Sequence, residues 1–148
     1  MINELVVREM KKILSTILVC IIMLICISGC GKEKHIYDTA ESVNVMNDTG
    51  TEKIAEFGLI KADESDCTED AIADCYYNYF KTGEYDYCVI VFNDSDPVEG
   101  VFMSDAVVEK GALLTEKGDN VYSLSGNAED VVFYFPAEDG KTLSKIEN

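Results

Sequence analysis

Residues 66–92 read DCTEDAIADCYYNYFKTGEYDYCVIVF, and the fold turns on this stretch. In its first part Ala71, Ile72, Cys75, Tyr76, Tyr79 and Phe80 recur at three- and four-residue spacing, with Asp70, Asp74, Tyr77 and Lys81 falling between them. At 3.6 residues per turn the two sets occupy opposite faces, so the spacing predicts an amphipathic helix over about 67–82. Asp66 and Glu69 stand at capping-box spacing, and Asp70 adds negative charge in the first turn, where the helix dipole favours it. Gly83 is expected to stop the helix in a left-handed conformation. Beyond it the period falls to two. Residues 85–92 are apolar on both faces, which predicts an interior strand rather than an edge.

Working outward, Asn93-Asp94-Ser95-Asp96-Pro97 is a strong turn signal. Further strands are expected over 98–103, 106–114, 121–124 and 131–135, with a bulge at Gly111. Lys117-Gly118-Asp119-Asn120 and Ser125-Gly126-Asn127 supply the turns between them. One helix followed by hairpin-linked strands predicts an α+β domain over 54–148, with the helix packed on an antiparallel β-meander of four to five strands. Its first residues, Ile54, Phe57, Leu59 and Ile60, are expected to form a short helical or extended piece. Residues 31–53 are polar and without period, which predicts a flexible tether reaching about 25 Å.

The other end of the chain carries a different signal. Lys11-Lys12 precede an apolar run over 13–27, and Ile27-Ser28-Gly29-Cys30 ends it. Roughly 15 apolar residues suit the core of a signal peptide better than a spanning helix, which needs about 20. The four residues resemble the lipobox of bacterial lipoproteins, in order, spacing and position. The resemblance implies a signal peptide over 1–29, with Met10 as the expected true start, and transfer of a diacylglyceryl group to the Cys30 thiol. It also implies cleavage before Cys30 and a protein held at the outer face of the cell membrane. Residues 30–53 would then be the lipidated cysteine and its acidic tether. The remainder resembles small surface lipoproteins of Gram-positive bacteria, without motifs of a particular family.

Charge narrows the partners. The 148-residue chain carries a formal net charge of −16, and residues 1–29 hold three basic and two acidic side chains, so the mature chain carries −17. Such a chain repels nucleic acid and anionic headgroups; it suits a cationic partner, or serves solubility alone. With Cys30 lipidated, Cys67, Cys75 and Cys88 remain beyond the signal peptide. Helix and strand lengths place Cys75 and Cys88 at matching heights on either side of Gly83, a candidate disulfide whose alternative is a pair of buried free thiols. His35 is the only histidine, so neither a zinc site nor a Cys–His catalytic pair is expected. The acidic loop Asn93, Asp94, Asp96, Glu99 departs from a calcium-binding pattern at Val98 and Glu99, and no metal site is expected there. Hydrolase and phosphate-loop motifs are absent from the sequence, and no cofactor is expected.

Five tyrosines fall within residues 76–87. Of these, Tyr77, Tyr85 and Tyr87 are candidates for an exposed patch that binds an extracellular protein or stacks on wall glycan; the alternative is that they pack within a small sheet. The sequence thus predicts a non-enzymatic, membrane-anchored binding module. The competing class is a small secreted enzyme or enzyme inhibitor with its site in the α+β domain.

Overall fold

A computed structural model describes residues 6–10 and 33–146. The lipobox and the apolar run before it lie outside the described residues. The chain divides into two compact units, Met1–Glu33 and Lys34–Asn148. In the first, residues 6–10 are helical. No helix among the described residues is long and apolar enough to cross a membrane.

The second unit is organised by a seven-stranded sheet whose spatial order follows the chain: β1 (Glu41–Met46), β2 (Lys53–Ala62), β3 (Tyr87–Phe92), β4 (Glu99–Met103), β5 (Val108–Glu116), β6 (Tyr122–Pro136) and β7 (Leu143–Lys145). Every neighbouring pair is antiparallel except β2 and β3, which run parallel from Phe57↔Tyr87 to Ala62↔Phe92. Parallel strands cannot be joined by a tight turn, so the chain between them must cross back over the sheet. That crossover holds the helix α1 (Glu69–Cys75) and the π-helical turn Tyr76–Phe80 that continues it. The expected helix on a four- to five-stranded antiparallel meander is therefore corrected to a sheet-dominated, mixed seven-stranded fold.

Two upstream segments account for the difference. β2 is no short accessory piece: Phe57 and Leu59 are buried on one face, Ile60 and Ala62 on the other, which makes it an interior strand. β1 lies inside the expected tether. It reads as polar because it is an edge strand, from which only Val43 and Val45 pack inward. The interior placement of β3 agrees with the sequence: Cys88, Ile90 and Phe92 face the helix side while Val89 and Val91 face away, all buried.

The helix ends differ from expectation as well. Thr68, not Asp66, is the N-cap, its hydroxyl accepting from the Ala71 amide at 3.2 Å. At the far end the left-handed residue is Glu84 (φ 56), one position beyond Gly83. The π turn, closed by the Lys81 amide to the Tyr76 carbonyl at 3.0 Å, keeps Tyr76 and Phe80 both in the core.

The sheet has a core on each face. On the helix side Ile72, Cys75, Tyr76 and Phe80 meet Ile60, Cys88, Ile90, Val101, Met103 and Val108. Among the described residues no helix covers the far side; instead Phe57, Leu59, Val89 and Val91 are covered by Ala112, Leu114 and Tyr122 from the outer arm of the β5–β6 hairpin. Gly111 makes this possible. With φ +95 it forms the expected bulge, and the single extra residue exchanges the faces of the strand, so that Val108 points to one core and Ala112 to the other. On β6, residues 128–131 stand opposite Gly111 alone, so Tyr134 and Tyr122 divide between the same two cores. Each large side chain fully buried here contributes about 1.5–3 kcal/mol over its exposed state.

Candidate functional site

The three domain thiols are buried. Cys67, Cys75 and Cys88 are free, with none of their surface exposed. The candidate Cys75–Cys88 disulfide is thus corrected to its alternative. α1 and β3 do bring the two side chains together, but as hydrogen-bonded free thiols. The hydrogen bond with Cys88, reinforced by burial, pushes the Cys75 thiol well up, and burial raises Cys67 to about 11. Cys67 and Cys75 are therefore poor nucleophiles at neutral pH. Titrating the mature, unreduced chain in denaturant with a thiol reagent should count three thiols; a count of one would mean that Cys75 and Cys88 are bridged.

Of the tyrosines singled out in the sequence, none stands free on the surface. Tyr77 is half-buried and donates its hydroxyl to the Thr142 carbonyl at 2.8 Å, tying the π turn to the β6–β7 loop. Tyr85 packs at 5.2 Å from Tyr79, where its neighbour's hydroxyl is raised by burial and by a hydrogen bond to Tyr85. Tyr87 stacks on Phe57 at 4.7 Å, and burial followed by the Asp86 charge raises its hydroxyl. All three are half-buried and engaged with neighbours within the fold. The expectation that they form an exposed patch is corrected.

The exposed aromatic surface lies on β6. Phe133 and Phe135 are 36% and 37% exposed and flank Tyr134, which is buried against the helix side. Alternation along the strand therefore puts both phenylalanines on the far face. Register extends the row inward through Glu109 to Phe102, which packs at 5.6 Å from Tyr87. Leu124 and Ile146 are further exposed apolar residues on β6 and after β7. The signal was present in the VVFYF run, where Phe-Tyr-Phe on a strand must turn its outer pair away from its centre.

A groove of about 300 Å³ runs between the helix and the β6–β7 loop, lined by Glu69, Asp70, Asp74, Asn78, Lys141 and Thr142 among others. Asp74 is at its edge and receives the segment before β1. His35 Nδ1 lies 2.6 Å from one carboxylate oxygen, and Asn78 donates to the other at 2.6 Å. The Tyr37 hydroxyl is hydrogen-bonded to the same group. Burial works against the charge on Asp74, but the bonds from Asn78, His35 and Tyr37 outweigh it and hold the carboxyl below its ordinary 3.8. Burial, then the Asp74 charge, pushes Tyr37 from 10.0 up to about 12.

These shifts set a pH window. A depressed carboxyl contributes stability above its unfolded pKa that is lost as pH falls through the folded value, and a raised phenol contributes below its unfolded pKa and loses it as pH rises through the folded one. Asp38, Asp70, Glu69 and Lys141 are the other charged groups around this contact. Tyr37 ring resonances should stay at their docked positions from about pH 4 to pH 10 and move outside that range. A transition inside that window would contradict this.

Comparison with family models, curated proteins and solved structures returns no match, so the chemistry of these residues carries the functional reading by itself.

Proposed function

We propose that the mature protein is a lipid-anchored extracytoplasmic module that binds a protein partner through the far face of β6. Phe133 and Phe135, two large aromatics exposed side by side on a regular strand, carry this reading. Aromatic side chains offer large contact area at low entropic cost and are enriched where proteins meet. The net charge of the mature chain favours a partner with a basic contact surface, since steering between opposite charges raises the encounter rate. The lipobox resemblance at Ile27-Ser28-Gly29-Cys30 supports the location.

Two experiments test the two halves. Cys30→Ala should leave the signal peptide uncleaved and the chain without lipid label; a cleaved, lipid-labelled Cys30→Ala product would contradict anchoring at Cys30. A photo-cross-linking residue at position 133 should give a protease-sensitive adduct on intact cells, reduced at least about tenfold by Phe135→Asp, while the melting midpoint changes little because the site is on the surface. An adduct with wall glycan in place of protein, or one indifferent to Phe135→Asp, would contradict the proposal.

A further inference from the structure

The segment expected to be a free tether is folded from Lys34 onward, and this changes how far the domain can stand from its anchor. His35, Ile36 and Tyr37 are half-buried, and Ile36, Tyr37 and Ala40 pack on the helix-side core. Their path is fixed by a local turn. The His35 amide donates to Asp38 at 3.0 Å, the Asp38 amide to the His35 carbonyl at 3.2 Å, and the Ala40 amide to the Tyr37 carbonyl at 3.1 Å. Side chains then lock the turn to the helix. The His35 ring stacks on Tyr37 at 4.9 Å, Tyr37 on Tyr79 at 5.6 Å, and His35 and Tyr37 both engage Asp74. β1 begins directly after, so the chain is held from Lys34 into the sheet.

We infer that residues 34–40 form a clasp that shortens the membrane leash to the four peptide steps between Cys30 and Lys34. This rests on lipidation of Cys30 as proposed above. Whatever path residues 31–33 take, four steps span at most about 14 Å, whereas release of the clasp up to Glu41 would extend the limit to about 38 Å. The clasped domain therefore works close to the headgroups. A partner recognised in this state is itself at the membrane surface. Opening the clasp gives the same binding face a longer reach without any change in the sheet.

Chymotrypsin reads the clasp directly, because Tyr37 is a cleavage site only when undocked. In the full mature lipoprotein on phosphatidylcholine vesicles, cleavage after Tyr37 should be slow, and Asp74→Ala should speed it by at least about tenfold, since cleavage follows the open population. His35→Ala, which changes no residue of the helix or sheet, should do the same. In parallel, energy transfer from a dye at the exposed position 129 to a headgroup acceptor should fall in both variants. Fast cleavage of the unmodified protein, or transfer unchanged in both variants, would overturn the clasp. The mature chain made without residues 1–29 and carrying Cys30→Ala separates the two ideas: protection of Tyr37 without vesicle binding supports the clasp. If the unmodified chain also fails to bind vesicles, the anchor is overturned while the clasp stands.

Discussion

Gly100→Ala is expected to destabilise the domain by at least about 3 kcal/mol, enough to unfold much of the population of a marginally stable chain. A Cβ at this position would lie 1.8 Å from the Ile90 carbonyl oxygen and 2.9 Å from its carbon, well inside contact distance. The obstacle is backbone and cannot rotate away. Nor can it shift as a unit, because β3 is packed on both faces and paired on both edges. Gly100 itself is held between Val91 on β3 and Ala112 on β5, at the β4 irregularity where the sheet begins to turn. Relief would require β4 to leave β3, and with it the arm that covers the far core. Urea unfolding followed by far-UV circular dichroism measures the loss; a change below about 1 kcal/mol would mean that the β3–β4 approach is looser than described.

Tyr76→Ala should cost nearly as much, about 3–5 kcal/mol. Tyr76 is 1% exposed and lies where the helix crosses the sheet, with Tyr77 set edge-on at 5.0 Å and Phe80 at 5.5 Å. Its hydroxyl donates to the Asp105 carbonyl at 2.9 Å, tying the π turn to the β4–β5 connection, where Lys81 also reaches the Asp105 carboxylate at 2.6 Å. Tyr76→Phe separates the contributions: loss of the hydroxyl leaves the ring in place and should cost about 1 kcal/mol. If the two variants lost equal stability, the hydrogen bond rather than the ring would be the main contribution. Equilibrium unfolding of both variants decides it.

The sequence made the central part of this fold legible because the central part is where periodicity is strongest. The helix pattern over Ala71–Phe80 and the two-faced apolar run of β3 both come from side chains with a buried destination. Period alone could not show that β2 runs parallel to β3, since strand direction is set by what joins the strands, and here that is the helix itself. β1 escaped notice because an edge strand with two inward valines looks like a polar linker. The clasp escaped for a related reason: His35, Tyr37 and Asp38 make a turn, not a repeat, and Asp74, which His35 and Tyr37 engage, lies 39 residues beyond His35.

The candidate site shows the same division. Composition drew attention to the tyrosines between Tyr76 and Tyr87, yet in the fold Tyr77, Tyr85 and Tyr87 are occupied by Thr142, Tyr79 and Phe57. The exposed aromatics, Phe133 and Phe135, stood in a strand already predicted, and only the knowledge that Tyr134 faces the core turns them outward. The β5–β6 arm was likewise hidden, because its reversal depends on a positive φ at Gly111 and on four residues of β6 opposing that glycine. A bulge can be guessed from glycine. The exchange of faces that follows needs the register.

Anchoring at Cys30 is the claim on which the location, the binding surface and the short leash all depend. Mass spectrometry of the N-terminal peptide from the membrane-extracted protein tests it most directly. Anchoring at Cys30 gives a peptide beginning at Cys30, with its mass raised by a thioether-linked diacylglyceryl group. An unmodified Cys30, or a peptide still joined to residues 13–29, would contradict it.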